Sequence, residues 1–193
     1  MKIGIVILAA GSSSRLGHSK QMVKINSETL LQRSIKTALA STANEVLVVL
    51  GANAEIHSES IALFPVQTIH NANWQKGIGS SIKAGLHYFQ NKNMDALLIL
   101  VCDQVFLTSL HLLKIIGNFK ENKSLIVASK YNDTIGVPCL FDKALFPEIA
   151  EMKDEEGAKN IITKFSDNTI YVAFPEGEFD IDTTEDLERL RGM

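Results

Sequence analysis

An α/β fold, with helices on both faces of a mostly parallel sheet, is what this 193-residue sequence predicts. Three observations carry that expectation. Short β-branched runs recur at residues 3–9, 45–50, 66–70, 95–101, 125–129, 135–141 and 169–173. Amphipathic helical stretches fill most of the gaps between them. The first and fourth runs are nearly continuous apolar stretches, the pattern of strands buried on both faces of a parallel sheet.

In chain order, the strand at 3–9 is followed by a helix whose apolar stripe is Leu30, Leu31, Ile35 and Leu39. After the runs at 45–50 and 66–70, a second stripe comes from Ile82, Leu86 and Phe89. The strongly apolar run at 95–101 precedes a third, from Leu110, Leu113, Ile116 and Phe119, in which Gly117 weakens the C-terminal end. The runs at 125–129, 135–141 and 169–173 complete the set. Right-handed crossovers follow from parallel pairing. Ligands of such sheets bind outside the carboxyl ends of the strands, so the loops after the first and fourth runs carry the functional expectation. With no internal repeat, low-complexity tract or linker, residues 1–193 read as a single domain.

Nineteen Lys and Arg against 22 Asp and Glu give a net charge of −3, and 46% of residues are hydrophobic. A chain of this length buries roughly 70% of the surface its unfolded form exposes, enough core to need no disulfide or metal. Without a basic run, neither nucleic acid nor an anionic membrane surface is the expected main partner. The longest apolar runs, 5–10 and 96–102, are far below the roughly 18 residues that spanning a bilayer requires. No signal-peptide pattern opens the sequence, so a cytoplasmic protein is expected. Cys102 and Cys139, without C-x-x-C spacing, read as small buried hydrophobes, and the five histidines show no metal spacing.

The first loop reads Leu8-Ala9-Ala10-Gly11-Ser12-Ser13-Ser14-Arg15-Leu16-Gly17-His18-Ser19-Lys20. Gly11 and Gly17 permit close backbone approach to an anion, successive N–H groups can point at phosphate oxygens, and Arg15 and Lys20 supply positive charge. Arginine grips two oxygens with a planar fork, whereas lysine acts as a movable point charge. Neither G-x-G-x-x-G nor G-K-[ST] is present, which disfavours the dinucleotide-binding fingerprint and the P-loop. A solvated surface loop is the ordinary alternative.

Residues 71–86 join a second glycine/serine loop to a helix. Gly79, Ser80 and Ser81 fall at the helix's N-terminal end, where unpaired N–H groups suit an anion or a polar base edge. A serine N-cap is the plain reading on local grounds. Trp74 either stacks on a planar ligand or fills core. Asp103 ends the fourth run at the sheet's carboxyl edge, where a magnesium ligand belongs; Thr108 is better placed to cap the next helix. In Asp180-Ile181-Asp182-Thr183-Thr184-Glu185-Asp186, the two flanking carboxylates point the same way if extended, and Thr183 with Asp186 fits a capping pattern.

Taken in order, these segments resemble nucleotidyltransferases similar to the molybdenum cofactor cytidylyltransferases and guanylyltransferases. The first loop matches L-A-A-G-x-S-x-R-x-G-x-x-K, residues 77–86 resemble G-M-G-x-S-L-x-A-G-L, Asp103-Gln104 resembles D-Q-P with Val105 for proline, and residues 180–187 resemble D-I-D-T-P-E-D-L with Thr184 for proline. Gly136-Val137-Pro138 resembles G-H-P with Val137 for histidine, and Glu156-Gly157-Ala158-Lys159 resembles a G-A-R stretch that could equally start a helix.

The resemblance implies a Rossmann-like nucleotidyltransferase fold and Mg2+-dependent transfer of a nucleotide to a phosphorylated small molecule. Leu8, Ala9, Ala10, Gly11, Ser12, Ser13, Ser14, Arg15, Lys20, Gly79, Ser80 and Ser81 would bind the nucleotide. Arg15, Lys20 and Asp103 would be catalytic, and Asp103 and Asp182 would hold the metal. Ala9-Ala10-Gly11 leans toward CTP. The acceptor would be the molybdenum cofactor, with a molybdoenzyme or its chaperone as protein partner; sugar and polyol phosphates are the acceptors of related enzymes. A non-catalytic nucleotide or cofactor carrier is the rival reading.

Overall fold

The computed structural model describes residues 1–13, 16–179, 181 and 183–191. Its strands are β1 (Ile3–Ala9), β2 (Lys24–Ile25), β3 (Glu28–Thr29), β4 (Glu45–Leu50), β5 (Gln67–His70), β6 (Ala96–Val101), β7 (Ile126–Tyr131), β8 (Thr134–Asp142) and β9 (Thr169–Ala173). Its helices are α1 (Leu30–Leu39), α2 (Ala54–Ser60), α3 (Ile78–Phe89), α4 (Ser109–Glu121), α5 (Phe146–Glu151), α6 (Ala158–Lys164) and α7 (Thr184–Arg191). No helix among the described residues is long and apolar enough to cross a membrane.

Seven strands form one sheet in the order β5-β4-β1-β6-β8-β7-β9. Four of its six neighbouring pairs are parallel. The exceptions are β6 with β8 and β8 with β7. Two residues, Asn132 and Asp133, join β7 to β8, and so short a turn cannot carry the crossover a parallel pair needs. Asn132 takes φ +49 in that turn. β2 and β3 form a separate antiparallel hairpin around Asn26 and Ser27, both at positive φ, which the sequence shows by no Asn-Gly or Asp-Gly signal.

The alternation along β1 divides the core. Ile3, Ile5, Ile7 and Ala9 face a cluster built with α1 and α4, while Val6 and Leu8 face one built with α3, α5 and α6. Helix starts follow local chemistry. Thr29 and Gln32 form a reciprocal capping box at α1 (3.1 and 3.0 Å), and Thr108 caps α4. Thr183 and Asp186 bond reciprocally at α7.

Two apolar stripes differ from expectation at their margins. Leu39 and Leu110 are exposed, and α4 buries Leu112 and Ile115 alongside Ile116 and Phe119. Gly117 does not end α4, which continues to Glu121. Gly85 is a position that only glycine fits. A Cβ there would stand 2.6 Å from Val6 Cγ1, so its absence sets how closely α3 lies on β1.

Two histidines that show no pattern in the sequence are buried. His111 stacks on Phe174 at 4.5 Å, and its Nε2 lies 2.8 Å from Ser129 Oγ. Ser129 spends its own hydroxyl proton on Pro138 O (2.7 Å), so His111 Nε2–H is the donor. Burial, with a smaller contribution from Lys114, lowers the His111 pKa to about 4. The unfolded chain takes up this proton near pH 6.5 and the folded protein only near 4. Stability is therefore whole above pH 6.5 and declines between the two, by about 1–2 kcal/mol at pH 5. Urea unfolding at pH 7 and pH 5 should show this difference, and His111→Gln, which retains a donor for Ser129, should reduce it. An undiminished slope in that variant would assign the effect elsewhere.

Candidate functional site

β1 and β6 are parallel neighbours with Leu8 opposite Val101, so the segments that follow them, Ala10 onward and Cys102 onward, emerge together at the carboxyl edge. There Lys20 Nζ meets Asp103 Oδ2 in an ion pair between residues 83 positions apart in the chain. Both side chains are largely buried, at 19% and 13% exposure. Asp103 Oδ1 is buried with no hydrogen-bond partner among the described residues. An orphaned carboxylate oxygen on a residue that lines a cavity is a fit for an ion such as Mg2+, which is held by one or two protein carboxylates with water and substrate phosphates. No group of three or more His, Cys, Asp or Glu converges among the described residues. Asp182, the other expected metal ligand, and Ser14 and Arg15 of the first loop lie outside them.

The first loop is fixed from beneath by Gln21, a residue for which the sequence raises no expectation. Gln21 is 1% exposed. Its Nε2 donates to Gly11 O (2.8 Å) and Ala9 O (3.2 Å), and its Oε1 accepts from Ser19 Oγ (2.8 Å) and Ser13 Oγ (3.2 Å). Ser13 takes φ +56, a conformation non-glycine residues rarely hold, and its Oγ accepts from the Lys20 N–H at 3.0 Å. Behind Ser19 stands His57, fully buried, with Nε2 at 2.6 Å. Since the Ser19 proton goes to Gln21, His57 donates from Nε2 and its buried Nδ1 is unprotonated and without a partner among the described residues. Burial lowers the His57 pKa, in keeping with this neutral form.

The second loop corrects the expectation of a serine cap. Gly77, at φ +129, caps α3, and Ser80 and Ser81 lie within the helix. Asn71 Nδ2 donates to both serine hydroxyls, at 2.9 and 3.0 Å, while the single Ser80 hydroxyl proton is shared between the carbonyls of Gly77 and Asn73. Residues 153–157 cover the start of this helix. Ser80 N–H bonds Asp154 O, Lys83 pairs with Asp154 at 2.6 Å, and a Cβ on Gly79 would stand 2.3 Å from Lys153 O.

Between the two loops lies a cavity of about 340 Å3. Leu8, Ala10, Gly11, Ser12, Lys20, Ser81 and Asp103 line it, with Gln21, Trp74 and Gly77. Ala9, Ser13, Gly79 and Ser80 do not line it; they brace the residues that do. Trp74 is half-buried at the cavity wall rather than in the core. A wider groove of about 750 Å3 runs between α2 and β5, away from Lys20 and Asp103.

Gln104 fixes the far side of the site. It is buried, and its Nε2 donates to Val137 O and Gly177 O, both at 3.1 Å. Gly157 caps α6, so the Glu156–Lys159 segment is a helix start. Val105 and Ile181 are buried in one cluster with Leu16, Val23 and Leu30. Gln21, Asn71 and Gln104 all lie inside or beside the motifs that stand out in the sequence, but a buried amide has no periodicity to announce it.

A glycine/serine loop and a strand-end aspartate, meeting at the carboxyl edge of a Rossmann-like sheet, define a nucleotidyltransferase, a transferase enzyme. The MobA-like NTP transferase domain matches residues 5–169, and the chain belongs to that family. Purine catabolism protein PucB of Bacillus subtilis (strain 168) is 29% identical over 196 residues, covering 96% of this chain and 94% of its own. Nicotine blue oxidoreductase of Paenarthrobacter nicotinovorans is 27% identical, covering 96% and 94%. Molybdenum cofactor cytidylyltransferase of Escherichia coli (strain K12) is 23% identical, covering 96% and 93%. The fold is shared with the crystal structure of Rv0371c from Mycobacterium tuberculosis H37Rv, with TM-score 0.88 at 23% identity over 100% of this chain and 98% of that one. A complex of Rv0371c with manganese has TM-score 0.82 at 22% identity, covering 98% of each chain.

Proposed function

We propose that the protein transfers CMP from CTP to the phosphate of the molybdenum cofactor, releasing pyrophosphate, in a reaction that depends on Mg2+. The single observation carrying this reading is the Lys20–Asp103 pair set against the Gly11–Ser12 backbone at one cavity. The Ala9-Ala10-Gly11 sequence and the cytidylyltransferase relative support the choice of nucleotide and acceptor. On this reading the product passes to a molybdoenzyme or its chaperone in the cytoplasm, and residues 1–193 act as one domain.

A phosphate oxygen of the acceptor forms a bond to the α-phosphorus of CTP, and the bond from that phosphorus to the β-phosphate bridge oxygen breaks, its electron pair leaving with pyrophosphate. The protein's part is positioning and charge neutralisation. Lys20 faces the triphosphate and the departing pyrophosphate, the Ser12 N–H donates to a phosphate oxygen, and Arg15 adds a second cation. Asp103, through Oδ1, and Asp182 would hold the metal ion, which when bound neutralises phosphate charge and orients the reacting groups. Ser81, whose hydroxyl accepts from Asn71 at the cavity wall, retains its own proton for the nucleotide.

Thermal melts with Mg2+ and each of CTP, GTP, UTP and ATP test the reading. Ligand at about a hundred times its Kd adds roughly 2.7 kcal/mol, or about 5 to 10 °C for a chain of this size. Selective stabilisation by CTP is expected, and no shift with any triphosphate would overturn it. Val137 at the family's histidine position favours the carrier as a second reading. CTP binding without pyrophosphate release in the presence of acceptor would establish that one instead.

A further inference from the structure

We infer that Gln21 is a positioning residue for the triphosphate, because its buried carboxamide sets which way the first loop presents its N–H groups. The inference rests on the nucleotidyl-transfer reading for its ligand, but its geometry is independent of it. In a planar trans peptide the C=O and N–H point in opposite directions. Gln21 Nε2 draws the Gly11 carbonyl toward itself at 2.8 Å, so the N–H of the same peptide, that of Ser12, points away from Gln21. That N–H has no acceptor among the described residues, and Ser12 lines the cavity with Lys20 and Asp103.

The same side chain holds the next residue in place. Ser13 occupies its left-handed conformation with its hydroxyl tied to Gln21 Oε1 and to the Lys20 N–H. A left-handed residue within such a loop gathers consecutive N–H groups into an anion-binding concavity. The amide's orientation is itself forced. Two carbonyls, which can only accept, require the NH2 on one side, and the oxygen on the other then accepts from the two serine hydroxyls. Gln21 acts through the backbone it orients and not by touching a reacting atom.

Gln21→Glu separates this role from bulk packing. It keeps the size and the oxygen facing Ser13 and Ser19, but sets an oxygen against the two carbonyls. Calorimetric titration with CTP and with inorganic pyrophosphate, both with Mg2+, should show each at least tenfold weaker than in the wild type. Amide hydrogen exchange of the ligand-free protein should be faster at Leu16 and Lys20, whose N–H groups bond Ser13 O and Ser13 Oγ at 3.0 Å each, and unchanged in β1, β4 and β6. Gln21→Met, isosteric and without polar atoms, should behave alike in both measurements and serves if the glutamate variant does not fold. Unchanged CTP and pyrophosphate affinity overturns the inference, as does unchanged exchange at Leu16 and Lys20. Should the wild type bind neither ligand while exchange still depends on Gln21, the nucleotidyl-transfer reading falls and Gln21 is a loop clamp without a triphosphate.

Discussion

Lys20→Ala is expected to lower the rate of pyrophosphate release at least a hundredfold while the protein remains folded. Pre-positioned charges at a developing anion are worth about a hundredfold to a thousandfold in rate. Lys20 has the required setting: it is largely buried, lines the cavity with Ser81, and is held by its N–H bond to Ser13 Oγ and its ion pair with Asp103. Its loss also strands Asp103, whose Oδ1 already has no partner among the described residues, so stability should fall by about 1–3 kcal/mol. Single-turnover pyrophosphate release with saturating CTP checks the rate, and urea unfolding checks the fold. Raising the metal concentration should not rescue this variant, because a carboxylate relieved of its lysine partner retains its full charge for a cation. A turnover within threefold of wild type would remove Lys20 from the mechanism.

Asp103→Asn is expected to be the more damaging change, with turnover falling by about a thousandfold. Asparagine preserves the shape but offers one neutral oxygen where two charged ones stood. Lys20 loses the Asp103 carboxylate, and a divalent ion held there would lose a carboxylate ligand, which hard oxygen-seeking cations replace poorly with an amide. The expected signature is a metal-activation curve displaced to at least tenfold higher Mn2+ or Mg2+, with partial rescue at saturation. Loss of rate with an undisplaced curve would place Asp103 in charge balance with Lys20 rather than at the metal. The two variants combined should cost less than the product of their separate effects, since each removes the other's partner.

The strands on either side of this site are legible in the sequence because both are buried on two faces. Ile3–Ala9 and Ala96–Val101 have no solvent-facing side to alternate with, and their apolar runs mark them directly. The antiparallel placement of β8 is not legible from hydrophobic pattern, because strand direction is set by the two-residue turn at Asn132 and Asp133. The α4 stripe is misread at Leu110 because a leucine-rich stretch offers several apolar faces, and packing on the sheet selects the one that includes Leu112 and Ile115. At the site, Lys20 and Asp103 are legible as charges at loop positions after strands. What they lean on is not. Gln21, Asn71 and His57 are polar residues buried by tertiary contacts, and composition at their own positions is that of ordinary loops and helices.

Val105 stands where the resembled D-Q-P motif has proline, and it is buried with Leu16, Val23, Leu30 and Ile181. A proline ring would restrain the backbone after Asp103 locally, whatever its surroundings. Here that restraint is replaced by side-chain contact among the first loop's arm, the start of α1, the β6–α4 connection and the C-terminal segment. The position of the aspartate thus becomes a cooperative property: loosening any one contributor is felt by the others. The packing of Leu16 in the first loop and of Ile181 is thereby coupled through five apolar side chains, and a truncation at any one of them should be felt at the others.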